Sequence, residues 1–216
     1  MGKIIAIDGP AGSGKGTVAR LLAEKCHFTY IDTGLMYRAI GYLTLQNGID
    51  ISDKEAILDL LKNTKMEFTN EGFLLNGKIA GQELRTEEVS AASAIISKDP
   101  DLRALMGSIE RNIGATSDIV MEGRDITTAV FPDAPYKFYL DASLEERAKR
   151  RFKENQEKNI ETTYEEVYNN IASRDYIDMH KEVGALKRTD DQIYIDSTDL
   201  TIDEVVEKMF KIIEGE

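Results

Sequence analysis

Nine residues near the start of the chain, Gly9-Pro10-Ala11-Gly12-Ser13-Gly14-Lys15-Gly16-Thr17, constrain its fold more than any other segment. They follow a strand-forming run, Lys3-Ile4-Ile5-Ala6-Ile7, and precede Val18, Leu21, Leu22 and Cys26, which recur at helical spacing. A strand, a glycine-rich turn and a helix opening near a lysine make a phosphate-binding loop. Glycine lets successive backbone N–H groups point inward around phosphate oxygens, and the helix N-terminus adds positive potential. Lys15 would reach the β- and γ-phosphates of ATP as a mobile point charge. One position departs from the general pattern: Gly16 separates Lys15 from Thr17, where switch GTPases and motor ATPases place a magnesium-binding hydroxyl directly after the lysine. A guanine-reading Asn/Thr-Lys-x-Asp motif is also missing, because Thr64-Lys65-Met66-Glu67 fails at its last position.

The rest of the chain alternates strand and helix patterns. Phe28 to Ile31 reads as a second strand, followed by a helix that stops at Asn47-Gly48. Ser52 with Glu55 has the spacing of a capping box opening a helix through Lys62. Met66-Glu67-Phe68 and Phe73-Leu74-Leu75 flank Asn70-Glu71-Gly72, and Asn76-Gly77 follows at once, which predicts a small antiparallel meander. Pro100 starts a helix whose apolar face runs from Leu102 to Ile113. Strands resume at Ile119-Val120-Met121, Tyr136 to Leu140 and Ile193-Tyr194-Ile195, with Ser143/Glu146 and Thr201/Glu204 capping the helices after the last two. The predicted fold class is α/β: a three-layer core with a five-stranded parallel sheet, interrupted by an inserted lobe. The core takes residues 1–62 and 115–216, and the lobe takes 63–114.

The net charge of −12 disfavours a general nucleic-acid or membrane binder, though local charge still decides anion binding. The single Cys26 cannot form an internal disulfide, and the short apolar run Ile4 to Ile7 is no membrane span, which predicts a cytoplasmic enzyme. Phosphoryl transfer between two anions needs cations, and Arg38 and Arg124 stand just beyond strands, where parallel sheets bind ligands. On spacing alone, Arg38 reads as a solvated helix arginine. Arg124-Asp125 reads equally as a structural ion pair or a ligand contact. Arg147, Lys149, Arg150 and Arg151 read as a solvated face paired to Glu145 and Glu146. Glu122 and Asp125 could orient magnesium-bound water or cap a turn. His27 and His180 have structural roles in this reading.

Taken in order, IDGPAGSGKGT at 7–17, DTGLMYRA at 32–39, LRTEEVSAAS at 84–93, GRDITTAVFPDA at 123–134, LDASLEERAKRR at 140–151, SRDYID at 173–178 and IDSTDLTIDEV at 195–205 resemble the bacterial cytidylate kinases, a branch of the nucleoside monophosphate kinases. The resemblance implies transfer of the γ-phosphoryl of MgATP to CMP or dCMP, with Mg2+ carried by the nucleotide. It implies an acceptor-binding lobe and a helical lid at about 150–174. Within it, Lys15, Arg38 and Arg124 would be catalytic, residues 9–17 and Arg150 would bind ATP, and Thr33, Ser93, Arg103, Asp125, Arg174, Asp178 and Lys181 would join Arg38 and Arg124 around the acceptor. A monomer without nucleic-acid or membrane partners is expected. The chain departs from the family pattern at Lys181, where an arginine is usual, at Thr127 for glycine, at Glu122 for aspartate, at Leu35 for a small residue, and at Gly184-Ala185-Leu186, which lacks a proline. The competing readings are a kinase for UMP, dTMP or shikimate, and a nucleotide-binding module without transferase activity.

Overall fold

The computed structural model describes residues 2–69 and 71–215; Asn70 of the expected turn lies outside them, with Met1 and Glu216. At its centre runs β1 (Ile4–Asp8), buried at every position because both of its faces are covered. Alternation along the strand divides its side chains. Ile5 and Ile7 pack with Val18, Ala19 and Leu22 of α1 (Lys15–Cys26) and with Val205 and Met209 of α8 (Ile202–Glu214). Ile4 and Ala6 pack on the other face with Met36 and Ile40 of α2 (Thr33–Gln46) and Leu102 and Met106 of α5 (Pro100–Thr116).

Around β1 lie β2 (Thr29–Asp32), β6 (Ile119–Gly123), β7 (Tyr136–Asp141) and β8 (Ile193–Asp196), in the order β2-β6-β1-β7-β8, all parallel. This is the five-stranded parallel sheet expected from the sequence. The register brings Asp8 beside Gly123 and Tyr139, and Asp32 beside Glu122, at one carboxyl edge. Because β1 has β6 on one side and β7 on the other, the loop after it opens at the switch point of the sheet.

Between α3 (Lys54–Lys62) and α5, the strands β3 (Met66–Thr69), β4 (Gly72–Leu75) and β5 (Lys78–Ile79) form the antiparallel meander, and α4 (Glu87–Ile96) follows. Met66, Phe73, Leu75 and Leu84 belong to the same buried cluster as Ile4 and Ala6, so this segment rests directly on one face of the main sheet. Beyond β7, α6 (Leu144–Glu157) and α7 (Tyr164–His180) form a helical pair, with Val167 and Ile171 packed on Ala148 and on Ala11 of the loop.

Two helix starts differ from the spacing-based expectation. The cap of α3 is Asp53, whose carboxylate accepts from the Ala56 N–H, while Ser52 Oγ donates to Asp50 instead. An aspartate one residue nearer the helix took the role assigned to Ser52. Helix α7 opens with a full capping box between Thr163 and Glu166 that the sequence reading passed over. Ser143 caps α6 in one direction only, its Oγ accepting from the Glu146 N–H while the Glu146 carboxylate accepts from Arg150, whereas Thr201 and Glu204 form a box in both directions.

Candidate active site

The loop between β1 and α1 is built as a concave main-chain cradle. Gly12 and Gly14 hold φ of +77° and +86°, left-handed values that turn consecutive amides inward. Ser13 is only 1 % exposed, and its hydroxyl is the buried side-chain polar atom with no partner among the described residues. Lys15 is buried too, with Nζ folded back to donate to the Pro10 carbonyl at 3.0 Å. Burial, then the nearby Arg124 and Arg174, push the Lys15 ammonium down to about 7, against the pull of Glu122 and Asp178. A buried hydroxyl with a free donor and a lysine ammonium beside inward-turned amides are the groups with which a phosphate is bound.

The cradle is held from behind and in front. Behind it, the fully buried Asp8 accepts from the N–H groups of Ile126 (2.9 Å) and Thr127 (2.8 Å) and from Thr127 Oγ1 (2.5 Å). Burial pushes the Asp8 carboxyl above its usual range, opposed by these hydrogen bonds. Thr127 also accepts from Gln192 Nε2, so the residue standing where the family has glycine ties β1 to the segment before β8. In front, Arg147 Nη1 donates to the Ala11 carbonyl (2.8 Å) and to Asp175 Oδ2 (2.5 Å), and Asp175 Oδ1 accepts from the Ala11 N–H (3.1 Å). Arg147 is 6 % exposed, which corrects its reading as part of a solvated face. Arg150 keeps its expected bond to Glu146 at 3.0 Å, but its other end donates to Ser197 Oγ and to the Ser197 carbonyl, on the β8 side of the cradle. Arg151 and Lys149 do remain exposed.

The β6 side gathers most of the other expected residues. Arg124, directly after β6, donates through Nε to Asp178 Oδ2 of α7 at 2.7 Å, and Lys181 Nζ lies 3.6 Å from Asp178 Oδ1. Burial would raise the Asp178 carboxyl, but Arg124 and Lys181 outweigh it and hold it below the usual range. Arg174 is lowered by burial and by the proximity of Arg124 and Arg38. Neither Arg38 nor Arg174 has a carboxylate within ion-pair distance among the described residues. Arg124 and Arg174 thus both repel Lys15, and Arg38 repels Arg174, with Asp178, Glu122 and Asp175 as nearby counter-charges. Glu122, at the end of β6, sits beside Gly16 and accepts from Tyr30 Oη, and burial followed by repulsion from Asp32 raises its carboxyl. Thr33 is buried, and its hydroxyl is used on the Glu122 carbonyl at 2.9 Å, where it joins α2 to β6.

Next to this cluster, Arg103 of α5 makes a side-chain pair with Asp125, Nη2 to Oδ2 at 2.5 Å, both side chains 9 % exposed. Arg103 Nη1 donates to the Ser97 carbonyl, and the guanidinium lies 5.6 Å from the centre of the Tyr37 ring. Ser93 does not join the pair: it lies where α4 presses on Gly41 of α2, and its hydroxyl donates to the Ser90 carbonyl. The sequence reading missed Glu110, hidden in the apolar stripe of α5. It is 2 % exposed. Burial, then repulsion from Asp125, push its carboxyl up to about 8. Arg147 and Asp175 were missed as site residues as well. Among the described residues, no group of three or more His, Cys, Asp or Glu is placed to hold a metal ion, and no helix is long and apolar enough to cross a membrane.

A cationic cradle at a parallel-sheet switch point, with further cations converging from other elements, defines a phosphoryl-transferring kinase of the P-loop class. Two solved structures share the fold: an uncharacterized protein from Eubacterium ventriosum (14 % identity, TM-score 0.58, 99 % of each chain) and a shikimate kinase from Acinetobacter baumannii in complex with shikimate (14 % identity, TM-score 0.51, 100 % of this chain and 94 % of that one). Sequence comparison is more specific. The cytidylate kinase family matches residues 5–215. Proteins named cytidylate kinase are 46 % identical in Enterococcus faecalis (99 % of this chain, 96 % of the relative), 44 % in Bacillus subtilis (97 % and 96 %) and 42 % in Clostridioides difficile (95 % of each). The chain belongs to the cytidylate kinase family, and it is a nucleoside monophosphate kinase.

Proposed function

We propose that this enzyme transfers the γ-phosphoryl group of ATP to CMP and dCMP, giving CDP or dCDP and ADP by direct in-line displacement. The observation that carries the reading is the adjacency of two unlike charge groups: the underneutralised Lys15, Arg38, Arg124 and Arg174, and the closed pair Arg103–Asp125. The first group suits a phosphate acceptor next to the γ-phosphate. The second suits cytosine, whose amino group donates beside ring and carbonyl acceptors: a carboxylate takes the amino protons and a guanidinium donates to the acceptors. Uracil reverses part of that pattern.

In this reading the main chain of residues 9–17 and Lys15 hold the β- and γ-phosphates. Arg150 and the segment it grips at Ser197 lie toward the rest of ATP. Arg38, Arg124, Arg174 and Lys181 hold the acceptor phosphate and follow the charge that spreads over the transferring group. The acceptor brings its own anionic oxygen as nucleophile, so no side chain has to remove a proton. Mg2+ carried by ATP would neutralise charge on the phosphates, and Glu122, whose carboxylate lies against Gly16, would orient its bound water. Thr33 positions the end of β6, Asp178 orients Arg124, and Ser93 supports the helix contact behind the acceptor pocket. Residues 63–114 serve as the acceptor lobe and 150–174 as a lid, whose closure excludes water as a competing acceptor. A cytoplasmic monomer without nucleic-acid or membrane partners completes the proposal.

ADP release measured with pure protein across CMP, dCMP, UMP, AMP and dTMP tests it. CMP and dCMP should give the highest kcat/KM. A preference for UMP or dTMP would replace the acceptor, and ATP binding without acceptor-dependent ADP release would leave only a binding module.

A further inference from the structure

Gly184 lies in the segment that leaves α7, three residues beyond Lys181, in a left-handed conformation (φ +66°). A β-carbon built on it would fall 2.2 to 2.3 Å from Nη2, Cζ and Nε of Arg103 together. Three guanidinium atoms at one distance mean that the flat face of the Arg103 head group lies on the main chain at Gly184. The head group is held there by three other contacts: Asp125 Oδ2, the Ser97 carbonyl and the Tyr37 ring. Ala185 and Leu186 are buried, and the Leu186 N–H donates to the Asp178 carbonyl at 2.8 Å, which ties the segment back to α7.

We propose that Gly184 is a positioning residue for the acceptor: its missing side chain is the notch in which Arg103 stacks, and filling the notch turns Arg103 away from Asp125. The inference rests on the reading that Arg103 and Asp125 face the acceptor base. The guanidinium is the end of a flexible side chain, so a β-carbon displaces Arg103 rather than the backbone. The fold survives and the alignment of the pair is lost.

Kinetics of Gly184→Ala, Gly184→Asn, Arg103→Ala and the corresponding double variants test this. Asparagine tolerates the left-handed backbone but carries the β-carbon, so it separates conformational strain from loss of the notch. Both single substitutions at 184 are expected to raise KM for CMP about 10-fold or more, with KM for ATP within about twofold, as misplacement of a binding group does. In the Arg103→Ala background, substitution at 184 should change acceptor kcat/KM no further. An undiminished effect of Gly184→Ala when Arg103 is already alanine would overturn the proposal, as would wild-type kinetics in Gly184→Asn. Failure of the wild-type enzyme to use CMP at all would instead remove the acceptor reading, and this inference with it.

Discussion

The cationic cluster around Lys15 and the Arg103–Asp125 pair share one cleft and handle charge in opposite ways. Around Lys15, Arg124 and Arg174 repel the ammonium, Arg38 and Arg174 lack ion-pair partners among the described residues, and burial with this repulsion drives the lysine toward its neutral form. At Arg103, a cation and an anion close on each other at 2.5 Å, both nearly out of solvent, with a main-chain carbonyl and a ring as further partners. The difference follows from what each must meet. A phosphate supplies the missing negative charge, so the first cluster gains when its ligands arrive. A neutral base supplies only donors and acceptors, so the second group must be balanced before it binds.

The largest effect expected from this contrast is at Lys15. Lys15→Ala should cut kcat by about 10³-fold or more while the thermal unfolding of the protein is preserved or improved, because a crowded cation is removed. Unaltered turnover in folded protein would break the account of the cradle. Arg38→Ala should come next, with a loss of about 10²-fold in kcat/KM for the acceptor and little change in ATP affinity. A KM effect confined to ATP would move Arg38 to the wrong substrate.

Glu110 sharpens the other half. Its carboxyl is raised from 4.5 to about 8, so between those pH values the folded chain keeps a proton that the unfolded chain has released, and stability falls as pH rises through that window. Glu110→Gln should therefore stabilise the fold by about 3 kcal/mol at pH 7 and by little at pH 4, read from denaturant melts. A constant gain across that range would mean the carboxyl titrates alike in the folded and unfolded chains. The smallest effect is linkage at Lys15: ATP binding at pH 8 should take up protons, since phosphates favour the charged ammonium that burial, Arg124 and Arg174 disfavour. Calorimetry in buffers of different ionisation enthalpy would detect it, and proton release would contradict it.

The sequence made the cradle legible because its chemistry is local: main-chain N–H groups need glycines in a row, and those residues stand side by side. The strand and helix order was legible for the same reason, since β1 and β6 open on the apolar runs Ile4 to Ile7 and Ile119 to Met121, and β7 carries Phe138 to Leu140. What was not legible depends on contacts across the chain. Arg147 stands in a stretch of charged residues that reads as a solvated helix face, yet its partners are Ala11 and Asp175, far away in sequence. Glu110 carries no signal because one acidic residue on an apolar helix stripe reads as its edge. Arg103 could be nominated only through resemblance, Asp125 was nominated by its place after β6 but without its partner, and Gly184 has no signal apart from the Arg103 head group that lies on it. Ser93 shows the converse: motif position suggested a base contact, while its hydroxyl is used within its own helix.

The division of labour between the two charge groups is tested most directly by measuring kcat/KM for CMP and UMP in the wild type and in Asp125→Ala. The account predicts that the substitution lowers CMP use by about 10- to 100-fold, collapses the CMP-over-UMP preference, and leaves KM for ATP unchanged. An equal loss for both acceptors, or a loss expressed through ATP, would contradict it.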